Sequence, residues 1–135
     1  MTRLRGLMLL LVAMPAAAAA QPLTIRVGES WAFAVEKGQP VRAHRVKAAA
    51  KPARGEIKAT LISVAGTTMT LTNNSATSYT YRADLIGSSS KRSSRTCTLP
   101  ADLQPSLEYW PLKAVAVRLG DFRATDKSGN CPPGS

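Results

Sequence analysis

Between Leu23 and Phe122 the chain repeats one local device: short runs in which apolar and polar residues take turns. Leu23, Ile25 and Val27 alternate with Thr24 and Arg26, and Trp31, Phe33 and Val35 alternate with Ala32 and Ala34. Met69 and Leu71 sit among Thr68, Thr70 and Thr72, and Tyr79, Tyr81, Ala83 and Leu85 alternate with Thr80, Arg82 and Asp84. Successive side chains of an extended strand point to opposite faces, so a period of two gives each run one face to bury. No stretch keeps a convincing 3.6-residue period, which an amphipathic helix requires. Gly28-Glu29, Lys37 to Pro40, Ala65-Gly66, Asn73-Asn74-Ser75, Gly87 to Lys91 and Gly120-Asp121 punctuate the runs as turns or loops. Eight or nine short strands at such spacing predict an all-β fold, a sandwich or a barrel, and the architecture expected here is an antiparallel β-sandwich.

Some stretches are less regular. Residues 41–47 are charged with weak alternation and are read as an edge strand, because charge discourages pairing with other chains. Residues 48–55, interrupted by Pro52, are read as a loop. Ile57, Ala59 and Leu61 share one phase while Ile62 and Val64 take the other, which suggests a bulge near Leu61 or a strand covered on both faces. The Asn-Asn-Ser corner reads as the turn of a hairpin, since Asn tolerates left-handed angles and bonds nearby backbone. Leu107 and Tyr109 are taken as inward. That leaves Trp110 out of phase, as the candidate exposed aromatic that could anchor a partner.

Both ends carry information. Arg3 and Arg5 precede the apolar run LMLLLVAM, Pro15 breaks it, and Ala16 to Ala20 supply small residues. That is the layout of a secretory signal peptide over residues 1–20, with cleavage after Ala20 or at Ala17 to Ala19. The apolar run is shorter than the roughly 20 residues a bilayer span needs, and no later stretch is a candidate span. A single β-sandwich domain over residues 21–135 is expected to be exported, to a bacterial periplasm or beyond. Cys97 and Cys131 would then form a disulfide that staples the Pro- and Gly-rich tail. On the chain-entropy model such a loop is worth about 3–4 kcal/mol. The rival reading, two thiols in redox chemistry, lacks a C-x-x-C arrangement.

The chain carries 18 basic and 8 acidic residues, a formal charge of +10. Arg42, Arg45, Lys47, Lys51, Arg54 and Lys58 crowd one segment in which Glu56 is the only acid, and Lys91, Arg92 and Arg95 form a second cluster. A concentrated positive field attracts and steers polyanions, so the six residues of the first segment are the candidate polyanion-binding set. The bland alternative is a solvated basic surface that keeps the protein soluble.

Catalytic apparatus is hard to find. His44 is the lone histidine. It lies among Arg42, Arg45 and Lys47, and no nucleophile motif points to it, so it reads as a surface residue. With both cysteines assigned to a disulfide, no transition-metal ligand set remains. Asp84, Asp102, Glu108 and Asp121 are scattered rather than paired. No glycine-rich phosphate loop occurs. The expectation is a protein that is not an enzyme, with no cofactor and no metal.

The order of Thr-rich strand, Asn-Asn-Ser turn, Tyr-containing strand, loop and TCTLPADLQPSLEYW over residues 67 to 110 resembles immunoglobulin-like domains of the bacterial periplasm. The N-terminal domains of pilus chaperones share this layout, but their paired carboxylate-clamping basic residues have no counterpart here. LTIRVGESWAFAV resembles the first strands of chagasin-like protease inhibitors, whose Thr-Thr-Gly loop is replaced by KGQPVRAH. The chain is most similar to small exported proteobacterial proteins with an immunoglobulin-like β-sandwich, a group without an assigned role. Together these readings imply an exported, non-enzymatic binding module whose partner is an anionic envelope polymer or a protein. The alternative is an envelope inhibitor of a secreted hydrolase, a protease or lysozyme.

Overall fold

A computed structural model describes residues 21–88 and 93–126, without the side chains of 93–95. The leader read over residues 1–20, the cluster residues Lys91 and Arg92, and Cys131 lie outside the described residues. The described chain is all-β, with nine strands: β1 Leu23–Arg26, β2 Ser30–Glu36, β3 Gln39–Arg45, β4 Ile57–Ser63, β5 Thr67–Asn73, β6 Ser78–Ile86, β7 Ser93–Arg95, β8 Pro105–Trp110 and β9 Ala116–Thr125. Two antiparallel sheets form, one in the order β1-β9-β6-β7 and one in the order β3-β2-β4-β5-β8. The sandwich expected from the alternation is therefore present, with this strand order.

The core lies between the sheets. Ile25, Phe33, Ile57, Ala59, Leu61, Met69, Leu71, Tyr81, Val117 and Leu119 are each at most 1 % exposed. Phe122 stacks on Tyr81 at 5.2 Å and meets the edges of Phe33 and Tyr79. Such rings contribute beyond their buried area when offset or edge-on.

Phe122 is inside because of an irregularity. Alternation from Leu119 would turn it to solvent. Gly120-Asp121 is not the turn expected from sequence; β9 runs on to Thr125, and its register with β6 shifts between Thr80 and Arg82. Asp121 takes a φ of 52° there. An extra residue in one strand flips everything beyond it, and so returns Phe122 to the core. A second shift separates β2 from β3 between Ala32 and Ala34, opposite Arg42, whose φ is 51°. β3 is the edge of its sheet, as its charges suggested, and this bulge further spoils it as a template for pairing.

Three further sequence readings are revised. The change of phase at Leu61 needs no bulge within β4, whose pairing with β5 is unbroken. Leu61 lies opposite both Gly28 and Glu29, accepting from the Gly28 N–H and donating to the Glu29 carbonyl. The first half of β4 is covered on both faces, with Ile57, Lys58 and Ala59 buried, and Ile62 faces outward at 45 % exposure. The Asn-Asn-Ser corner is not a hairpin turn: β5 and β6 belong to different sheets. It is a crossover held by its own side chains. Asn73 is fully buried, its Nδ2 donates to the Thr77 carbonyl at 2.7 Å, and its Oδ1 accepts from Ser75 Oγ at 2.8 Å. Asp102 and Leu103, both at positive φ, aim their N–H groups at the Ser75 and Asn73 carbonyls.

The third correction concerns Trp110. It is buried, whereas Leu107 and Tyr109 are 64 % and 53 % exposed. Register decides this. Trp110 pairs with Thr67, and Glu108 with Met69, both of which face the core, so Glu108 and Trp110 face inward too. Tyr109 instead lies outside, donating its hydroxyl to the Ala65 carbonyl at 2.9 Å. No helix among the described residues is long and apolar enough to cross a membrane.

Candidate functional site

The basic segment falls on β3, on the connection from β3 to β4, and on β4 itself, and the fold divides its six residues. Arg42 on β3 is paired with Glu36 at 2.8 Å. Arg45 lies 2.6 Å from Glu29 Oε2, which also accepts from Trp31 Nε1, and its guanidinium sits over the Trp31 ring at 5.9 Å. Lys58 does not belong to an anion-binding set at all. It is 8 % exposed, and its Nζ donates to the carbonyls of Ala48 and Ala50, the latter at 2.6 Å. A buried ammonium must be partnered, and here backbone carbonyls take that part. Lys58 is a peg that fastens the connection over the outer face of the five-stranded sheet.

Lys47, Lys51 and Arg54 remain. All three are exposed, on a segment anchored at both ends and in the middle. Pro52 is buried and its carbonyl accepts from Asn74 Nδ2 at 2.9 Å; Gly55 N–H donates to the Asn74 carbonyl. Glu56, the one acid of the segment, is spent on the Ala53 N–H and lies 3.7 Å from His44 Nε2. None of the three cations has an ion-pair partner among the described residues. The same connection borders, through Ala48, a shallow cleft of about 290 Å³ lined also by Lys58, Thr60, Thr70 and Thr72. The threonine run that marked β5 as a strand thus lines a depression that the β3–β4 connection borders.

A second concave site lies on the outer face of the four-stranded sheet, and sequence reasoning missed it. Arg82 and Asp84 of β6 face Gly120 and Arg118 of β9 in register. Pro22 and Gln39 come over Gly120 from the neighbouring edge, and with Asp121 these residues line a cleft of about 250 Å³. Arg118 donates to Asp84 Oδ2 at 3.2 and 3.3 Å, and Arg123 to Asp121. The only advance signal was Gly120-Asp121 inside an apolar run, which reads equally as a turn.

Glu108 is an inward carboxyl at the rim of the core. Burial raises its pKa from the usual carboxylate value, and the Cys97 N–H pulls the other way. Burial, helped by the Glu108 charge, pushes the Tyr81 phenol well above its ordinary range. Among the described residues no three His, Cys, Asp or Glu side chains gather as a metal-ligand group. No family model matches the chain, and no curated protein or solved structure gives a significant match.

Proposed function

We propose that the protein is an exported, non-enzymatic binding module that takes an anionic polymer across the five-stranded sheet, its tail tied by a Cys97–Cys131 disulfide. One observation carries the reading: Lys47, Lys51 and Arg54 stand without ion-pair partners among the described residues, on a pinned segment that borders a threonine-lined cleft through Ala48, while Arg42 and Arg45 are ion-paired and Lys58 is buried against backbone carbonyls. Fixing the cations before the ligand arrives lowers the ordering cost of binding. A polymer with repeating carboxylates, sulfates or phosphates would meet the three charges, and its hydroxyls would meet Thr60, Thr70 and Thr72.

The test is retention on immobilised heparin under a rising salt gradient, since exposed charge contacts are screened by salt. The combined variant Lys47→Ala, Lys51→Ala and Arg54→Ala is expected to elute at clearly lower salt. The pair Arg42→Ala and Arg45→Ala, which removes two charges already compensated, should shift much less. Equal elution of the triple variant and the parent defeats the reading.

A further inference from the structure

The cleft between β6 and β9 contains two polar atoms that the protein leaves unsatisfied. Gln39 Oε1 and Asp84 Oδ1 are shielded from solvent and have no hydrogen-bond partner. Both line the cleft, and both are acceptors. A buried acceptor without a donor costs free energy, and native structures rarely tolerate one without a reason. Here two occur together in a depression shaped by a β-bulge, with Asp121 at positive φ beside a glycine. Bulges and left-handed non-glycine residues concentrate where a strand is re-aimed for a ligand. Gly120 has no room for more: a Cβ there would stand 2.9 Å from Gln39 Oε1 and 3.4 Å from Pro22.

The donor set defines what fits. The two open acceptors ask for two donors. They sit on different strands, Gln39 over Gly120 and Asp84 two pairs further along the β6–β9 ladder, so the donors should be on separate atoms. Arg82 contributes a guanidinium with five N–H donors, which can hold an anionic oxygen while keeping another contact. Arg118 is held by Asp84 and adds little net charge. The cleft is smaller than the roughly 300–1,000 Å³ of drug-sized sites, which limits the ligand to about one sugar ring. We infer that this cleft binds a single acidic sugar residue, a hexuronate, with its carboxylate on Arg82 and two ring hydroxyls donating to Asp84 Oδ1 and Gln39 Oε1. It lies on the opposite sheet from Lys47, Lys51 and Arg54 and stands independently of the polymer reading.

Amide chemical-shift titration of the purified protein with D-galacturonate tests it, with D-galactose and glycine as the other arms. Galacturonate should move the amides of Gln39, Arg82, Asp84 and Gly120. Losing a charge-assisted contact should weaken binding about tenfold or more, so galactose, Arg82→Gln and Asp84→Asn should each show that loss. An unchanged thermal midpoint for the two variants separates lost binding from lost folding, and both side chains lie on an outer face. The Lys47, Lys51 and Arg54 triple variant should bind galacturonate as the parent does, whether or not it still binds heparin. Shifts confined to other residues, equal affinity for galactose, or tighter binding of glycine would each overturn the assignment.

Discussion

Glu108 shows how one side chain can set a pH dependence for the fold. It lies on the inner face of β8 because Met69, its partner in register, is a core residue. Its carboxyl keeps its proton to higher pH in the fold than in the unfolded chain, because burial disfavours the charge. Between the unfolded and folded pKa values the native state therefore binds more protons, and stability falls as pH rises through that window. Glu108→Gln keeps an acceptor for the Cys97 N–H and removes the titration. In urea unfolding, the variant's midpoint should exceed the parent's at about pH 7, and the two should converge near pH 4, below the usual glutamate value. A gap that does not change with pH would show that Glu108 ionises in the fold as it does in water. Sequence gave no warning here, because alternation assigned Glu108 to solvent and Tyr109 to the core. An aromatic and a glutamate exchanged faces since Trp110, the larger group, claimed the inside.

At the scale of the element, the connection from β3 to β4 is held by few bonds, and Lys58 supplies two of them. Lys58→Met keeps the aliphatic stem and removes the ammonium, leaving the Ala48 and Ala50 carbonyls without that donor. A buried acceptor left open costs about 1–3 kcal/mol. Hydrogen exchange should accelerate across residues 46–54 while the β9 amides keep their protection. Uniform acceleration over the whole chain would mean that the peg supports the sandwich rather than the segment. The position of β3 at a sheet edge was legible from its charges, and the loop character of 48–55 from Pro52. The burial of Lys58 was not, because a lysine between Ile57 and Ala59 carries the same signature as any outward strand residue.

For the whole molecule, the pairings span the chain. β1 pairs with β9, β5 with β8 and β6 with β9, so the first and last strands must meet before the four-stranded sheet can close. Loop closure over such separations precedes any gain from contact, and all-β domains accordingly fold in about milliseconds to seconds. Stopped-flow refolding followed by tryptophan fluorescence should show its main phase in that range. A main phase in microseconds would mean that the β2–β3 and β4–β5 hairpins alone set the barrier.

Alternation by itself determined that this chain is built of strands with one face to bury, and punctuation determined where most of them stop. Both are local properties, written in side-chain polarity and backbone preference. Which strands pair is a matter of distant partners, and only the tertiary structure decided it: the Asn corner became a crossover, and Trp110 and Tyr109 exchanged faces. The same holds for charge. Six cations adjacent in sequence look alike, but whether each is paired, buried or free depends on which acid or carbonyl the fold brings beside it. The arginine cleft between β6 and β9 joins Pro22 and Gln39 to residues some forty to a hundred positions away, a proximity that no run of the sequence contains.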